Sequence, residues 1–203
     1  MPIISEAEVE ALLARLSAAA GEPAPTVSWT DKGGSHASAR PGRRSSIVLN
    51  RRILNDRDDA HFTAAHELGH LVHGHNTGRR NGRLAGLYVG TLIIAIGLAT
   101  AAMLLTIGST WVSLAPVLGW LLWLPLQRQL SVRLKQPAEV EADLYAARAG
   151  APLTPALVER YEDEGTTADR VMAYLFPLHP SWADRAAITA AAFPAVRTDS
   201  PDG

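Results

Sequence analysis

From Leu84 to Leu126 the chain carries no Asp, Glu, Lys or Arg, although the residues on either side are rich in them. As one helix, the 24 residues from Leu84 to Ile107 would extend about 36 Å at roughly 1.5 Å per residue, enough to cross a hydrocarbon core of about 30 Å. Gly108-Ser109-Thr110 reads as a turn. A shorter apolar stretch, Trp111 to Leu126, then returns, with Pro116, Pro125 and three tryptophans (Trp111, Trp120, Trp123) of the kind that favour membrane interfaces. The block therefore predicts a two-helix transmembrane hairpin; the competing reading is a hairpin buried in a soluble core. It divides the chain into a head begun by residues 1–83, the hairpin at 84–127, the rest of the head at 128–193, and a polar tail at 194–203.

The flanks orient the hairpin. Arg79, Arg80 and Arg83 precede it, Arg128, Arg133 and Lys135 follow it, and the connecting turn is uncharged. The positive-inside rule then places both termini and the head on the cytoplasmic side of a plasma or inner membrane. The N-terminus, Met1-Pro2-Ile3-Ile4-Ser5 followed by Glu6, Glu8 and Glu10, lacks the basic start and apolar run of a signal peptide. Nineteen basic against 20 acidic residues leave a net charge of −1, which argues against a nucleic-acid partner. With no Cys, disulfides, thiolate metal sites and a cysteine nucleophile are excluded, and any metal must be held by His and carboxylates.

The head reads as mainly α-helical with a small β-sheet. Ser5 with Glu8 forms a capping box ahead of Val9, Leu12, Leu13 and Leu16, predicting a helix over 5–20. Segments 26–30 and 45–49 have strand character, with a short strand expected near 36–39. A helix is expected from near Asp58, running out around Gly74–Gly78, another from Pro137 to about Ala149, and further helices at 154–164, 167–176 and 181–192.

The chemistry is concentrated in His66-Glu67-Leu68-Gly69-His70. Histidines four apart share a helical face, where both imidazoles reach one metal ion, and Glu67 lies beside them as a base for water at that ion. Such a site needs a third protein ligand. A further His at 76 is absent, since Asn76 stands there. A carboxylate from a second helix is the alternative, and Glu139 is suited to it, with Asp143 one turn on to support a ligand imidazole. His73 shares the His66/His70 face, but three ligands along one straight helix spread over nearly two turns. His36, His61 and His75 are expected at the surface.

HELGH, a basic-flanked apolar hairpin, Glu139-Val140-Glu141-Ala142-Asp143, Tyr145–Gly150 and then His179-Pro180-Ser181-Trp182-Ala183-Asp184-Arg185 together resemble the HtpX-type and CAAX-prenyl-protease-type membrane zinc peptidases over roughly residues 26–190. The resemblance implies a zincin-like head, one Zn²⁺ held by His66, His70 and Glu139, Glu67 as general base and Asp143 as support. It also implies His179 and Arg185 near the substrate or the developing oxyanion. The segment Ser46, Ile47, Val48, Leu49 and Asn50 would be a sheet edge that binds extended peptide. Members of that family usually carry membrane helices ahead of the zinc motif, which this chain lacks. Phe62-Thr63-Ala64-Ala65 before HELGH also looks like the soluble ImmA/IrrE-type regulatory peptidases. The function implied is a membrane-anchored zinc endopeptidase acting on membrane or membrane-proximal polypeptides. The alternatives are a catalytically silent membrane adaptor, an ImmA/IrrE-like regulatory peptidase and a zinc hydrolase of non-peptide bonds.

Overall fold

Ser5 accepts a hydrogen bond from the Glu8 backbone N–H, while the Glu8 carboxylate accepts from the Ser5 N–H at 2.9 Å. This capping box starts α1 (Glu6–Ala19), which buries Val9, Leu12 and Leu13. In the computed structural model, residues 3–32, 34–38, 45–75, 78–106, 114–163 and 180–193 are described. Three strands follow α1: β1 (Thr26–Thr30), β2 (His36–Ser38) and β3 (Ser46–Asn50). In β3 the side chains alternate, so Ile47 and Leu49 are fully buried and meet α1 and the next helix in one core with Leu13, Ala64 and Leu68. Burying each aliphatic side chain of this size contributes about 1.5–3 kcal/mol.

The sheet order corrects one expectation. It is β1-β3-β2, with β1 parallel to β3 and β2 antiparallel to it. Ser46–Asn50 is therefore the middle strand, not an edge. Its backbone groups are engaged by β1 along its length and by β2 from Ser46 to Val48, so an extended peptide cannot add to it there. Among the described strands, the outer one beside the second helix is β2.

A 3₁₀ turn (Arg51–Asn55) leads to α2 (Arg57–Val72). The N-cap of α2 is Asp56, whose carboxylate accepts from the Asp58 and Asp59 N–H groups. This helix is buried through most of its middle, from Ala64 to His70. One side meets the sheet and α1, and the other meets α5 (Gln136–Arg148). The α2–α5 contact is close because both helices present small residues. A Cβ on Gly69 would lie 3.0 Å from the Ala142 Cα, and Ala138, Ala142 and Ala146 are buried. Leu68 turns towards the sheet while Gly69 admits α5, so HELGH separates two packing surfaces. Helices α6 (Pro155–Asp163) and α7 (Trp182–Ala192) complete the head, with Phe62, Ala65, Ala146, Leu153 and Leu157 in a second core. The helix expected at 167–176 lies outside the described residues.

Between α2 and α5 stand α3 (Gly78–Thr106) and α4 (Ala115–Leu134). They pack as an antiparallel pair: Gly119 lies against Ile96, the Trp123 indole N–H donates to Thr91 Oγ1 at 3.0 Å, and Ala99 and Met103 meet Ala115. Both helices run past the uncharged block, α3 by beginning at Gly78 and α4 by continuing through Pro125 to Leu134. Among the described residues, one helix, over Ala85–Leu105, is long and apolar enough to cross a membrane. In α4 the apolar part from Ala115 to Leu126 covers only about 18 Å before Gln127 and Arg128. The expected pair of full spans is thus reduced to one helix of spanning length and a shorter partner packed on it. Leu87, Val89, Ile93, Ile94, Leu98 and Leu105 of α3 and Val117, Leu121 and Leu122 of α4 face outward.

The backbones at Gly119 and Ile96 approach so closely that a Cβ at 119 would lie 2.5 Å from the Ile96 Cα. Gly119→Leu is expected to destabilise the helix pair by about 1–3 kcal/mol. Thermal unfolding in detergent checks this, and an unchanged midpoint would contradict the contact.

Candidate metal centre

Three donors from two helices converge at the α2–α5 contact. His66 and His70 project from one face of α2, and their Nε2 atoms lie 3.1 Å apart. The Glu139 carboxylate, from the first turn of α5, reaches them at 3.6 Å from His66 Nε2 and 3.5 Å from His70 Nε2. All three donors lie within 4.8 Å of one another. Zinc bound to nitrogen at about 2.0–2.1 Å sets tetrahedral neighbours about 3.4 Å apart, so the spacing and the His-His-carboxylate chemistry fit that ion.

Both imidazoles are held from behind. Asp143 Oδ1 accepts from His66 Nδ1–H at 2.8 Å. Asp143 is itself gripped by Arg185, whose Nε and Nη2 each donate to it at 2.6 Å. The Arg185 guanidinium stacks on Trp182, 4.2 Å from the ring centroid. On the other side, His70 Nδ1 lies 3.1 Å from His75 Nδ1, and His75 Nε2 lies 2.7 Å from Glu141.

These contacts fix the electrostatics. Burial alone would lower His66, but its hydrogen bonds to Asp143 and Glu139 outweigh that and raise it to about 9. His70 is pushed down to about 4 by burial and by the His66 charge. The two Nε2 atoms lie at hydrogen-bond distance, with His66 raised and His70 lowered. Metal binding, which uses a lone pair on each Nε2, is therefore coupled to proton release. Burial would raise Asp143 as well, yet the Arg185 and His66 hydrogen bonds hold it below its ordinary 3.8. Burial raises Glu67 above 4.5, partly offset by the His66 charge.

Glu67 lies on the cleft side of α2. The cleft, about 430 Å³, is lined by Gly34 and Ser35 ahead of β2, by His66, Glu67 and Glu139, and by Tyr161 and Trp182 on the far wall. The Ala37 backbone N–H of β2 is close enough to lower the Glu67 pKa, which puts the base beside the outer strand. At the rim, Asp59 accepts from Thr63 and Tyr161 and pairs with Arg160 at 2.6 Å.

Set against the sequence, His66, Glu67, His70, Glu139 and Asp143 come together. Arg185 contributes to the cleft lining, but its side chain is only 3% exposed and its guanidinium is engaged by Asp143. His73 is exposed and caps the end of α2, so it stands outside the donor cluster. His75 departs from the expected surface position, being 5% exposed and packed on His70. His36 is exposed and His61 half-buried. His179 lies outside the described residues. The sequence reading missed the partnership of His75 with Glu141, and it missed Tyr161 and Trp182 as cleft walls. A signal for His75 was present: a glycine directly after a predicted helix turns the next residue back onto the last turn.

The model of peptidase family M48 matches residues 4–190. In fold, the chain is similar to the crystal structure of S. mikatae Ste24p, with a TM-score of 0.54 and 17% identity, covering 93% of this chain and 51% of that one. The chain thus spans about half the length of that protein. No curated protein matches the sequence. With the family model matched over nearly its whole length, and a His-His-Glu cluster of the kind a zinc-dependent peptidase requires, the chain belongs to peptidase family M48.

Proposed function

We propose that this protein is a membrane-anchored zinc endopeptidase that hydrolyses peptide bonds of membrane or membrane-proximal polypeptides at the cytoplasmic face. The observation that carries the reading is the convergence of His66, His70 and Glu139 beside a buried Glu67 in an open cleft. When bound by those three residues, zinc supplies Lewis-acid polarisation of a carbonyl and acidifies water at neutral pH. Glu67 serves as the base. Its raised pKa suits it to take a proton from the attacking water and return it to the departing amine nitrogen. The substrate lies in the cleft with its chain alongside β2, whose outer edge adjoins Glu67, in the manner of strand addition to a sheet. His179 is proposed as a donor to the carbonyl oxygen.

The outward apolar faces of α3 and α4 support bilayer insertion, since water does not tolerate a continuous apolar surface of that extent. The basic residues flanking both helices support a cytoplasmic head. Among the readings considered, a silent adaptor has no use for a buried carboxylate beside a metal cluster.

The test is the purified full chain in detergent, assayed for zinc and for cleavage of an unfolded membrane-proximal protein. Glu139→Ala is expected to lose both zinc and cleavage. Full zinc content in that variant would remove Glu139 from the ligand set. A reporter fused to the C-terminus should respond from the cytoplasm, and a signal from the opposite side would overturn the topology.

A further inference from the structure

Helix α2 ends in a turn that returns its own chain to the metal cluster. His73 is the C-cap, and Gly74 has φ +66°, a left-handed conformation that glycine adopts freely. The Gly74 N–H donates to the Leu71 carbonyl at 3.0 Å and the His75 N–H to the His70 carbonyl at 2.9 Å, the paired bonds of a Schellman motif. That motif brings the residue two past the cap against the third residue from the helix end. Here those residues are His75 and His70. Where an apolar pair usually meets, two imidazoles do, with Nδ1 facing Nδ1 at 3.1 Å and ring centroids 5.3 Å apart.

Two facing Nδ1 atoms form a hydrogen bond only if one carries the proton and the other does not. Glu141 narrows the choice. Its carboxylate is an acceptor only, so His75 Nε2, at 2.7 Å, is the donor. In a neutral His75 that leaves Nδ1 as an acceptor, and His70 then holds its proton on Nδ1. The lone pair of His70 then lies on Nε2, the atom that faces His66 and Glu139. From these contacts we infer that His75, aligned by Glu141, is a positioning residue that fixes the tautomer and orientation of His70 for metal binding. It is the counterpart on the second histidine of what Asp143 does for His66. Carboxylates, backbone carbonyls and waters commonly orient ligand imidazoles in this way, and here a histidine takes that place. Glu141 sits on α5, two residues from Glu139, so the same pair of helices that assembles the donors also orients them. The inference rests on the metallopeptidase reading of the cluster.

The experiment uses the full-length protein in detergent and a competition titration of zinc against a chromophoric chelator. His75→Leu is expected to weaken zinc binding by about 10–100-fold. His75→Asn should recover most of that loss, because its side-chain oxygen can accept near the position of Nδ1, whereas a purely space-filling role would not distinguish an acceptor from none. In zinc-free protein with ¹⁵N-labelled histidine, NMR should show His70 protonated on Nδ1. This measurement needs no variant and so decides the matter even if His75→Leu fails to fold. Unchanged affinity in a folded His75→Leu, or His70 protonated on Nε2 in the zinc-free protein, would overturn the inference while leaving the metal centre standing. A wild-type protein that takes up no zinc would overturn the metallopeptidase reading, and this inference with it.

Discussion

Glu67→Gln is expected to lose most of its turnover while leaving zinc content at wild-type level. Gln keeps the shape of the side chain and can remain against the β2 backbone, but it cannot take up a proton. A positioned general base contributes about 10²–10⁴-fold, so cleavage of an unfolded substrate should fall by that factor. Zinc should stay, because Glu67 is not among the three converging donors. The separation of the two readouts is the informative part. Zinc lost together with activity would make Glu67 a ligand or a structural support, and activity retained would move the base elsewhere in the cleft.

The largest expected effect on stability is at Arg185. Its side chain is 3% exposed and that of Asp143 only 1%, and the pair is joined by two hydrogen bonds of 2.6 Å. Arg185→Leu leaves the Asp143 charge buried without its main partner, a loss of about 3–5 kcal/mol in comparable cases. Arg185→Lys should recover part of it, since the charge returns without the planar fork. Denaturant unfolding of the detergent-solubilised protein measures both. The pH dependence has a definite sign. Because the folded state holds Asp143 below 3.8, its contribution is present above that value and lost as pH falls through the lower folded pKa. Without Arg185 the folded pKa rises towards the unfolded value, so the variant, already weaker at neutral pH, should lose less stability on acidification than wild type. A variant within 0.5 kcal/mol of wild type, a bound of about the size expected for ordinary surface changes, would show that the clamp contributes little.

The parts of this fold that follow local rules were legible in the sequence. Ser5 with Glu8 announces the start of α1, the alternation around Ile47 and Leu49 marks β3, and the spacing of His66 with His70 places both on one helical face. Asp143 could be matched to Glu139 because one helical turn separates them. What was not legible depends on pairing between distant segments. Whether a strand is an edge is decided by its neighbours, and the three-residue β2 occupies the side of β3 that the sequence left open. The Arg185–Asp143 pairing was not legible for the same reason, since the two lie 42 residues apart. The apolar stretch stops at Leu126, yet α4 continues past Pro125 to Arg133 and Leu134. His75 was read as a surface residue because its burial follows from a turn rather than from periodicity.

His66 and Asp143 are 77 residues apart, and most of the chain between them is the α3–α4 pair. The entropy lost on closing a loop rises with the logarithm of its length, by about 0.6 kcal/mol per doubling. Joining the end of α2 to the start of α5 directly would close about sixty residues. Once α3 and α4 have zipped together from Ala99 and Met103 against Ala115 down to Tyr88 beside Lys135, the free connection shrinks to the few residues after Val72 and before Gln136. That shortening is worth about 2 kcal/mol by the same logarithm. The apolar pair is therefore more than an anchor: it works as a zipper for the head, and the two halves of the metal centre meet most readily after the zipper has closed.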